Sequence, residues 1–418
     1  MQSVQIKSFK ILMVLIMTAG CSAPDTSSTP TSDPKSTTGF LVPGKGVRVL
    51  LEATIDPTIS GTSINSTALS AQDDGTVSWT YGTGACCGGS PTLYRRKFDG
   101  QTGKALTPDG DLKKITRTDM VAGFDQYGGS IRYVQGTGKL YQSTRNNVTG
   151  DVPDYTNSDN NTFTGPPLVY PDGDVVISSN PTPIGITPYN YSSQLWVRRK
   201  HGANNQFFQT INQTGNDPDA FWHGGVCYPS DANGAITCLT STASQALVID
   251  VQGSGSVTPK IVGSAPFAGA RIQNAINISV QFRVKTRADH SKTTIFMLEA
   301  GDNALGDKPG TNRYSTFIVD NLTHAVTVVV ASQILTDVYD RYNGLDFDFE
   351  GNIYFFKWSA AEQSDKASVV KQTAAGPSVF KSDFLVASTT PHALVVSATG
   401  SVYAVLGGKG HFAVCGLN

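Results

Sequence analysis

A polar turn ending in glycine and followed at once by a strand-like run recurs along this chain, and no other feature limits its fold as much. The unit reads Asp74-Gly75-Thr76-Val77, Gly138-Lys139-Leu140-Tyr141, Asp172-Gly173-Asp174-Val175, Asn233-Gly234-Ala235-Ile236, Glu350-Gly351-Asn352-Ile353-Tyr354 and Thr399-Gly400-Ser401-Val402-Tyr403. Glycine and its polar neighbours make the turn, and the β-branched and aromatic residues behind them make the strand. The interval from Gly234 to Gly351 is about twice the others. It has room for one further unit near Thr293-Thr294-Ile295-Phe296 that has lost its glycine. A second strand follows most turns: Leu93-Tyr94-Arg95-Arg96, Leu195-Trp196-Val197-Arg198, Leu247-Val248-Ile249-Asp250, Phe317-Ile318-Val319-Asp320 and Val369-Val370-Lys371.

Two strands per repeat at a spacing of about 54 residues leave room for two more, giving four-stranded units. One such unit cannot bury both its faces, but units packed in a ring cover each other and leave only short edges. The expectation is an all-β protein, a β-propeller of about seven four-stranded blades, with six or eight allowed by the uneven spacing. A pair of β-sandwich domains would also give short strands with frequent turns. His411-Phe412-Ala413-Val414 is the candidate closing strand. Composition agrees, since Gly 42 and Pro 21 favour many turns over long helices. Lys+Arg 32 against Asp+Glu 33 excludes a nucleic-acid surface of the ordinary basic kind. Hydrophobic residues at 39% exclude charge-driven disorder.

The N-terminus has a different character. Lys7 and Lys10 precede the apolar run from Ile11 to Met17, and the small residues Thr18-Ala19-Gly20 follow. This is the pattern of a secretory signal, with an apolar run too short to span a bilayer. Cys21 comes directly after Ala19-Gly20 and looks like the lipobox cysteine of bacterial lipoproteins, whose sulfur is acylated; Thr18 stands where leucine is usual. Ordinary signal cleavage beside a chance cysteine is the alternative. Ser22 to Thr38 holds no large apolar residue and several prolines, so it reads as a flexible tether. The expected layout is a signal over 1–20, lipidated Cys21 and a Ser/Thr/Pro tether over 21–40, and the propeller over 41–418. The location implied is the bacterial outer membrane, with the side left open.

Of the other cysteines, Cys227 and Cys238 flank an Asn233-Gly234 hairpin turn, which suits a bridge across it. Cys86 and Cys87 sit in a glycine-rich loop and Cys415 lies near the C-terminus. Either one of the adjacent pair, such as Cys87, bonds Cys415 and locks the ring, or the pair bonds within itself and leaves Cys415 free. The absence of any C-x-x-C removes a zinc or thioredoxin-like reading.

No metalloprotease, nucleophile-elbow or dinucleotide signature is present, and no cofactor is implied. Gly39 to Gly46 falls one residue short of a phosphate loop and lacks its final Ser/Thr. Asp346-Phe347-Asp348-Phe349-Glu350-Gly351 begins like a calcium loop, but the twelfth position is Lys357. A blade strand with a buried Phe face entering a Glu-Gly turn is the preferred reading. Arg283, Lys285 and Arg287 alternate along one strand, so they share a face that either meets an anionic ligand or faces water. Trp222 and His223 before Gly224-Gly225, and Arg341 and Tyr342 before the Asp346 strand, are the other ligand-binding candidates.

The stretch from Tyr314 to Leu385 resembles a family of propeller lipoproteins from Bacteroidota. The resemblance rests on the Tyr314–Asp320 strand, Glu350-Gly351-Asn352-Ile353-Tyr354-Phe355-Phe356, and Val369-Val370-Lys371 ahead of Ala374-Ala375-Gly376. It implies a binding role: capture of a ferric siderophore or another nutrient beside a TonB-dependent outer-membrane transporter. The partners so implied are the membrane, through the acyl anchor, a small-molecule ligand of anionic character, and the transporter. A propeller enzyme of lactonase, glycosidase or lyase type, or a protein-interaction scaffold, is the alternative function.

Overall fold

The computed structural model describes residues 46–54, 67–71, 75–83, 92–104, 110–112, 119–124, 130–134, 139–143, 149–152, 162–163, 168–169, 175–180, 193–201, 204–213, 225–232, 235–241, 244–251, 255–257, 260–267, 281–300, 312–338, 344–358, 367–382, 384, 390–408 and 411–417. Over 110–213 it describes the strand backbones alone.

Among the described residues thirty strands form seven sheets, six of four strands and one of six. After β1 (Arg48–Thr54) the chain lays down blade 1 as β2 (Thr67–Ala71), β3 (Thr76–Thr83), β4 (Thr92–Asp99) and β5 (Gly110–Leu112). Blade 2 is β6 (Asp119–Phe124), β7 (Ser130–Val134), β8 (Lys139–Ser143) and β9 (Thr149–Val152). In blade 3, β10 (Thr162–Phe163) and β11 (Leu168–Val169) both pair with β12 (Val175–Asn180), ahead of β13 (Ser193–His201) and β14 (Asn204–Gln213). Blade 4 is β15 (Gly225–Pro229), β16 (Ile236–Ser241), β17 (Gln245–Val251) and β19 (Lys260–Pro266). Its intervening β18 (Gly255–Val257) pairs in parallel with β14 of blade 3. Blade 5 is β20 (Gln281–Thr286), β21 (Lys292–Ala300), β22 (Asn312–Asp320) and β23 (Val326–Leu335). Blade 6 is β24 (Leu345–Phe347), β25 (Ile353–Lys357), β26 (Ser368–Thr373) and β27 (Gly376–Ser382). Blade 7 is β28 (Thr390–Val396), β29 (Val402–Gly408) and β30 (His411–Gly416), with β1 as its fourth strand.

This is a seven-bladed β-propeller. The strand that opens a blade is its innermost: β2 touches both β28 and β6, β24 touches β28, and β15 touches β20. Every first strand then starts at one end of the ring and runs to a hairpin turn at the other, here called the turn end. The ring closes by pairing its two chain termini, β1 with β30, from Arg48 opposite Gly416 to Thr54 opposite His411. The expected closing strand is therefore in place. Of the two readings left open for Cys415, the bond to Cys87 is not found: Cys415 is a free thiol, fully buried, and burial raises its pKa to about 12. Hydrogen bonds along β1 and β30 close the ring instead. Arg48 Nη2 adds a bond to Gly100 O (2.9 Å) in blade 1, and Lys381 Nζ adds one to Gly46 O (3.0 Å) from blade 6. Cys21, Cys86 and Cys87 lie outside the described residues.

Alternation along each strand makes the core. On β29, Val402, Ala404 and Leu406 pack with Tyr354, Phe356 and Val369 of blade 6. Their neighbours Tyr403 and Val405 pack with Val77, Trp79 and Phe98 of blade 1. One strand thus serves two interfaces, because successive side chains point to opposite faces. Each large apolar side chain buried this way contributes about 1.5–3 kcal/mol, so every blade depends on its neighbours.

The repeat unit maps onto this plan. Gly75, Gly351 and Gly400 each sit between the first and second strands of a blade, with φ of 83°, 79° and 81°. The unit lacking glycine is real: β21 begins at Lys292, and His290 holds the left-handed position with φ 56°. Its N–H bonds Arg287 O at 2.8 Å, as Gly351 N–H bonds Asp348 O at 3.1 Å. The Gly138 unit does not fit, since it falls between the second and third strands of blade 2. The first connection of that blade spans 125–129 and carries Gly128 and Gly129, and counting from there removes the shortest interval. The second recurring run is the third strand of its blade each time: β4, β13, β17, β22 and β26.

Candidate functional site

An innermost strand has one edge paired within its blade and one edge facing the axis, where its N–H and C=O groups need partners. The alternating cations of β20 supply them. Arg283 Nη1 donates to Leu345 O of β24 at 2.6 Å. Lys285 Nζ donates to Asp346 Oδ2 (2.6 Å), to Phe347 O (2.7 Å) and to Val396 O on β28 (2.8 Å). It also lies 4.9 Å from the centre of the Phe347 ring. Asp346 Oδ2 accepts a further bond from Val396 N–H at 2.7 Å. Blades 5 and 7 are not neighbours, so Lys285 reaches Val396 only across the axial channel. It ties three consecutive inner strands together where they approach the turn end.

At Arg283 and Lys285 the face is thus neither solvated nor open. An ammonium with its three protons on three oxygens has none left for an anionic ligand unless one of these bonds breaks. Arg287, nearest the turn end, pairs with exposed Glu350 (Nη2 to Oε1, 3.0 Å) and lies over the Phe349 ring at 5.3 Å.

The calcium-like stretch behaves as a blade element. Phe347 and Phe349 are buried, as the strand reading requires. The three carboxylates do not converge, because β24 ends at Phe347 and the chain turns there. Asp346 faces Lys285. Asp348 Oδ1 accepts Glu350 N–H (3.0 Å) and Asn352 N–H (2.9 Å), while its Oδ2 accepts Tyr354 O–H (3.2 Å) and faces Lys371 Nζ (3.6 Å). Burial pushes the Tyr354 hydroxyl above its ordinary range, and the Tyr354 contact raises Lys371. Among the described residues no group of three His, Cys, Asp or Glu side chains is placed to hold a metal ion.

Cys227 and Cys238 form the expected disulfide. They are register partners on β15 and β16, 1% and 0% exposed, so the bridge lies inside the core between blades 4 and 5. Trp222 and His223, two residues before β15, and Arg341 and Tyr342, just before β24, lie outside the described residues. Both pairs precede an innermost strand in sequence, and those strands start at the end of the ring away from the turn end.

One residue at that opposite end gave no sequence signal beyond a Pro-His step early in a strand. The register of β28 slips between Pro391 and Ala393, leaving half-buried His392 at an irregularity of the kind that re-aims a side chain. Its Nε2 lies 3.0 Å from Thr390 Oγ1, which donates to Gly407 O at 3.2 Å. The His392 ring lies 5.2 Å from that of Phe412.

No protein-family model matches the chain, and no curated protein is similar to it. Among solved structures it is similar to a streptogramin B lyase, at 11% identity and TM-score 0.39 over 91% of this chain and 100% of that one. It is similar to a virginiamycin B lyase from Staphylococcus aureus with quinupristin, at 10% identity and TM-score 0.42 over 89% and 100%. It is also similar to the Nup133 β-propeller domain of Vanderwaltozyma polyspora, at 8% identity and TM-score 0.44 over 89% and 100%. The propeller assignment rests on the strand pairing described above, and these distant likenesses say nothing about activity.

Proposed function

We propose that this protein is a lipid-anchored, extracytoplasmic propeller that binds a small ligand and presents it to an outer-membrane transporter. What supports this reading is the signal-like pattern of residues 1–20 directly ahead of Cys21, in a chain whose folded core contains a disulfide. Disulfides persist in oxidising compartments and are rare in the cytosol. The ligand is assigned to the end of the ring where the inner strands begin. The turn end has its channel bridged by Lys285, whereas Thr390 and His392 stand near the other. The ligand class implied by the family resemblance is a ferric siderophore or another anionic nutrient. The near-zero net charge means that any anion must be held by a local cluster.

Two measurements test this. Cells fed an alkyne-bearing fatty acid should label the wild-type chain and not Cys21→Ala, with the label in the outer-membrane fraction; equal labelling of both removes the anchor. Titrating the purified protein with ferric catecholate and ferric hydroxamate siderophores should quench tryptophan fluorescence saturably. No quenching by any of them removes the siderophore reading and leaves the anchor standing.

A further inference from the structure

We infer that β1 is a latch on the ring: it leaves β30 as one unit while the other blades stay folded, and its release loosens His392 on the far side of the same blade. The device is independent of the ligand and anchor readings above.

The latch differs from other strands in how it is held. In blades 5 and 6 each strand pairs with the next strand of the chain, so a turn holds the two together when the ladder frays. β1 pairs instead with the last strand, Arg48 opposite Gly416, and no hairpin joins them. Its register also breaks between Val49 and Leu51, a bulge of the kind that disrupts the ladder locally. Two side chains tie its start to the neighbouring blades, Arg48 to Gly100 O and Lys381 to Gly46 O.

Burial is lopsided across this pair. Phe412, Ala413, Val414, Cys415 and Leu417 are all buried at the end of the chain. On β1, Arg48 and Glu52 are exposed and Val49, Leu50 and Leu51 only half-buried. The outer strand of blade 5, β23, buries Val330 and Leu335 and is joined to β22 by a turn. Few buried apolar contacts mark an element that opens at low free energy.

Two reactive side chains stand behind the latch, one on each face of β30. Cys415 is the register partner of Val49 and packs with it and Val47 in the core between blades 6 and 7. A closed latch keeps that thiol protonated and out of reach, and an open one gives it water and ordinary reactivity. On the other face, the Phe412 ring lies across Gly407, where a Cβ would overlap it, and reaches the His392 ring at 5.2 Å. The backbone of Ala53 is opposite Phe412, and Gly407 is opposite Thr390. One row thus crosses blade 7 from its rim to its innermost strand. Release of β1 frees the outer edge of β30 beside Phe412, and with it the ring against which His392 rests.

The test follows both side chains in the full-length protein across a urea series. Iodoacetamide alkylation of Cys415 and diethyl pyrocarbonate modification of His392 are read by peptide mass spectrometry. Hydrogen exchange of β21 reports global unfolding in the same samples. Alkylation should depend on urea more weakly than β21 exchange does, because a small opening exposes little surface. Arg48→Ala combined with Lys381→Ala should raise alkylation about tenfold, raise His392 modification in parallel and leave β21 exchange unchanged. Equal urea dependence of alkylation and β21 exchange overturns the latch, and the wild-type chain alone decides that. Faster β21 exchange in the variant, in proportion to its alkylation, overturns it as well. Alkylation that rises while His392 modification stays constant overturns the link to His392.

Discussion

Blades 5 and 6 make the same first turn from different residues. In blade 6, Asp348 Oδ1 accepts the N–H groups of Glu350 and Asn352, and Gly351 takes the left-handed position. In blade 5, Asp289 Oδ1 accepts the N–H and hydroxyl of Ser291, the turn is one residue longer, and His290 takes the left-handed position. Their third-to-fourth-strand turns repeat the contrast when blade 5 is set against blade 1. Asp99 and Asp320 hold the turn alike, but Gly103 (φ 74°) stands in one and His324 (φ 59°) in the other. Every left-handed non-glycine among the described residues, His290, His324, Ser332 and Asp337, lies in blade 5 or directly after it. An ordinary side chain there costs about 1–2 kcal/mol. Blade topology therefore fixes the turn, glycine is only its least strained occupant, and blade 5 tolerates the strain because it is bound to its neighbours in other ways.

The strongest of those bonds is Lys285, and removing it should have the largest effect. Lys285→Met leaves the Asp346 carboxylate, 8% exposed, facing an apolar side chain, and frees two channel-facing carbonyls. Breaking a buried pair from one side costs about 3–5 kcal/mol. Urea unfolding should show that loss, and Asp346→Leu added to Lys285→Met should restore much of it. Arg287→Ala, from the same strand face, removes an exposed pair with Glu350 and should change stability by about 1 kcal/mol or less. Equal losses at 285 and 287 would mean that the inner-strand tie is not what holds blade 5 in place.

The glycines themselves give the middle-sized effect. A Cβ on Gly351 would meet Thr316 Oγ1 at 3.2 Å and Val329 at 3.3 Å, both from blade 5, besides requiring a left-handed residue. A Cβ on Gly400 would meet nothing within 4 Å. Gly400→Ala should therefore cost about 1 kcal/mol from backbone strain alone. Gly351→Ala should cost about 2–3 kcal/mol, because the added methyl also crowds a packed interface. Equal costs would show that the blade 5–6 contact yields easily, and with it the account of why blade 6 kept its glycine.

Much of this fold was legible because period-2 alternation and turn chemistry are local. The turn unit located first-to-second-strand hairpins, the second run located third strands, and His411 to Val414 located the seam. The Gly138 unit misled because a polar-glycine turn does not say which hairpin of a blade it closes. The site was less legible. Arg283, Lys285 and Arg287 share a face, as alternation demands, but three of their acceptors are backbone carbonyls 62 to 111 residues away, and the carboxylates of Asp346 and Glu350 lie 61 and 63 residues away. No side-chain pattern encodes such partners. Cys415 was left open between a disulfide and a free thiol for a similar reason: a thiol facing blade 6 looks, in sequence, like one available to a loop.

The smallest effect distinguishes the matched turns of blades 1 and 5. The Asp99 carboxyl is held below the usual range chiefly by the Thr102 hydroxyl, then by the Thr102 N–H. For Asp320 the order is reversed, the Thr323 N–H first and its hydroxyl second. A carboxyl whose folded pKa is depressed adds stability above its unfolded value, and that stability is lost as pH falls through the folded value. Both turns should therefore weaken only on the acid side of the ordinary aspartate range. Thr102→Val and Thr323→Val each delete a hydroxyl and keep the N–H. Carboxyl-carbon NMR titration should find Asp99 moving up further in the first variant than Asp320 does in the second. Equal or reversed movement would mean that the two turns are interchangeable in detail as well as in outline. Glycine against histidine would then be the one real difference between them.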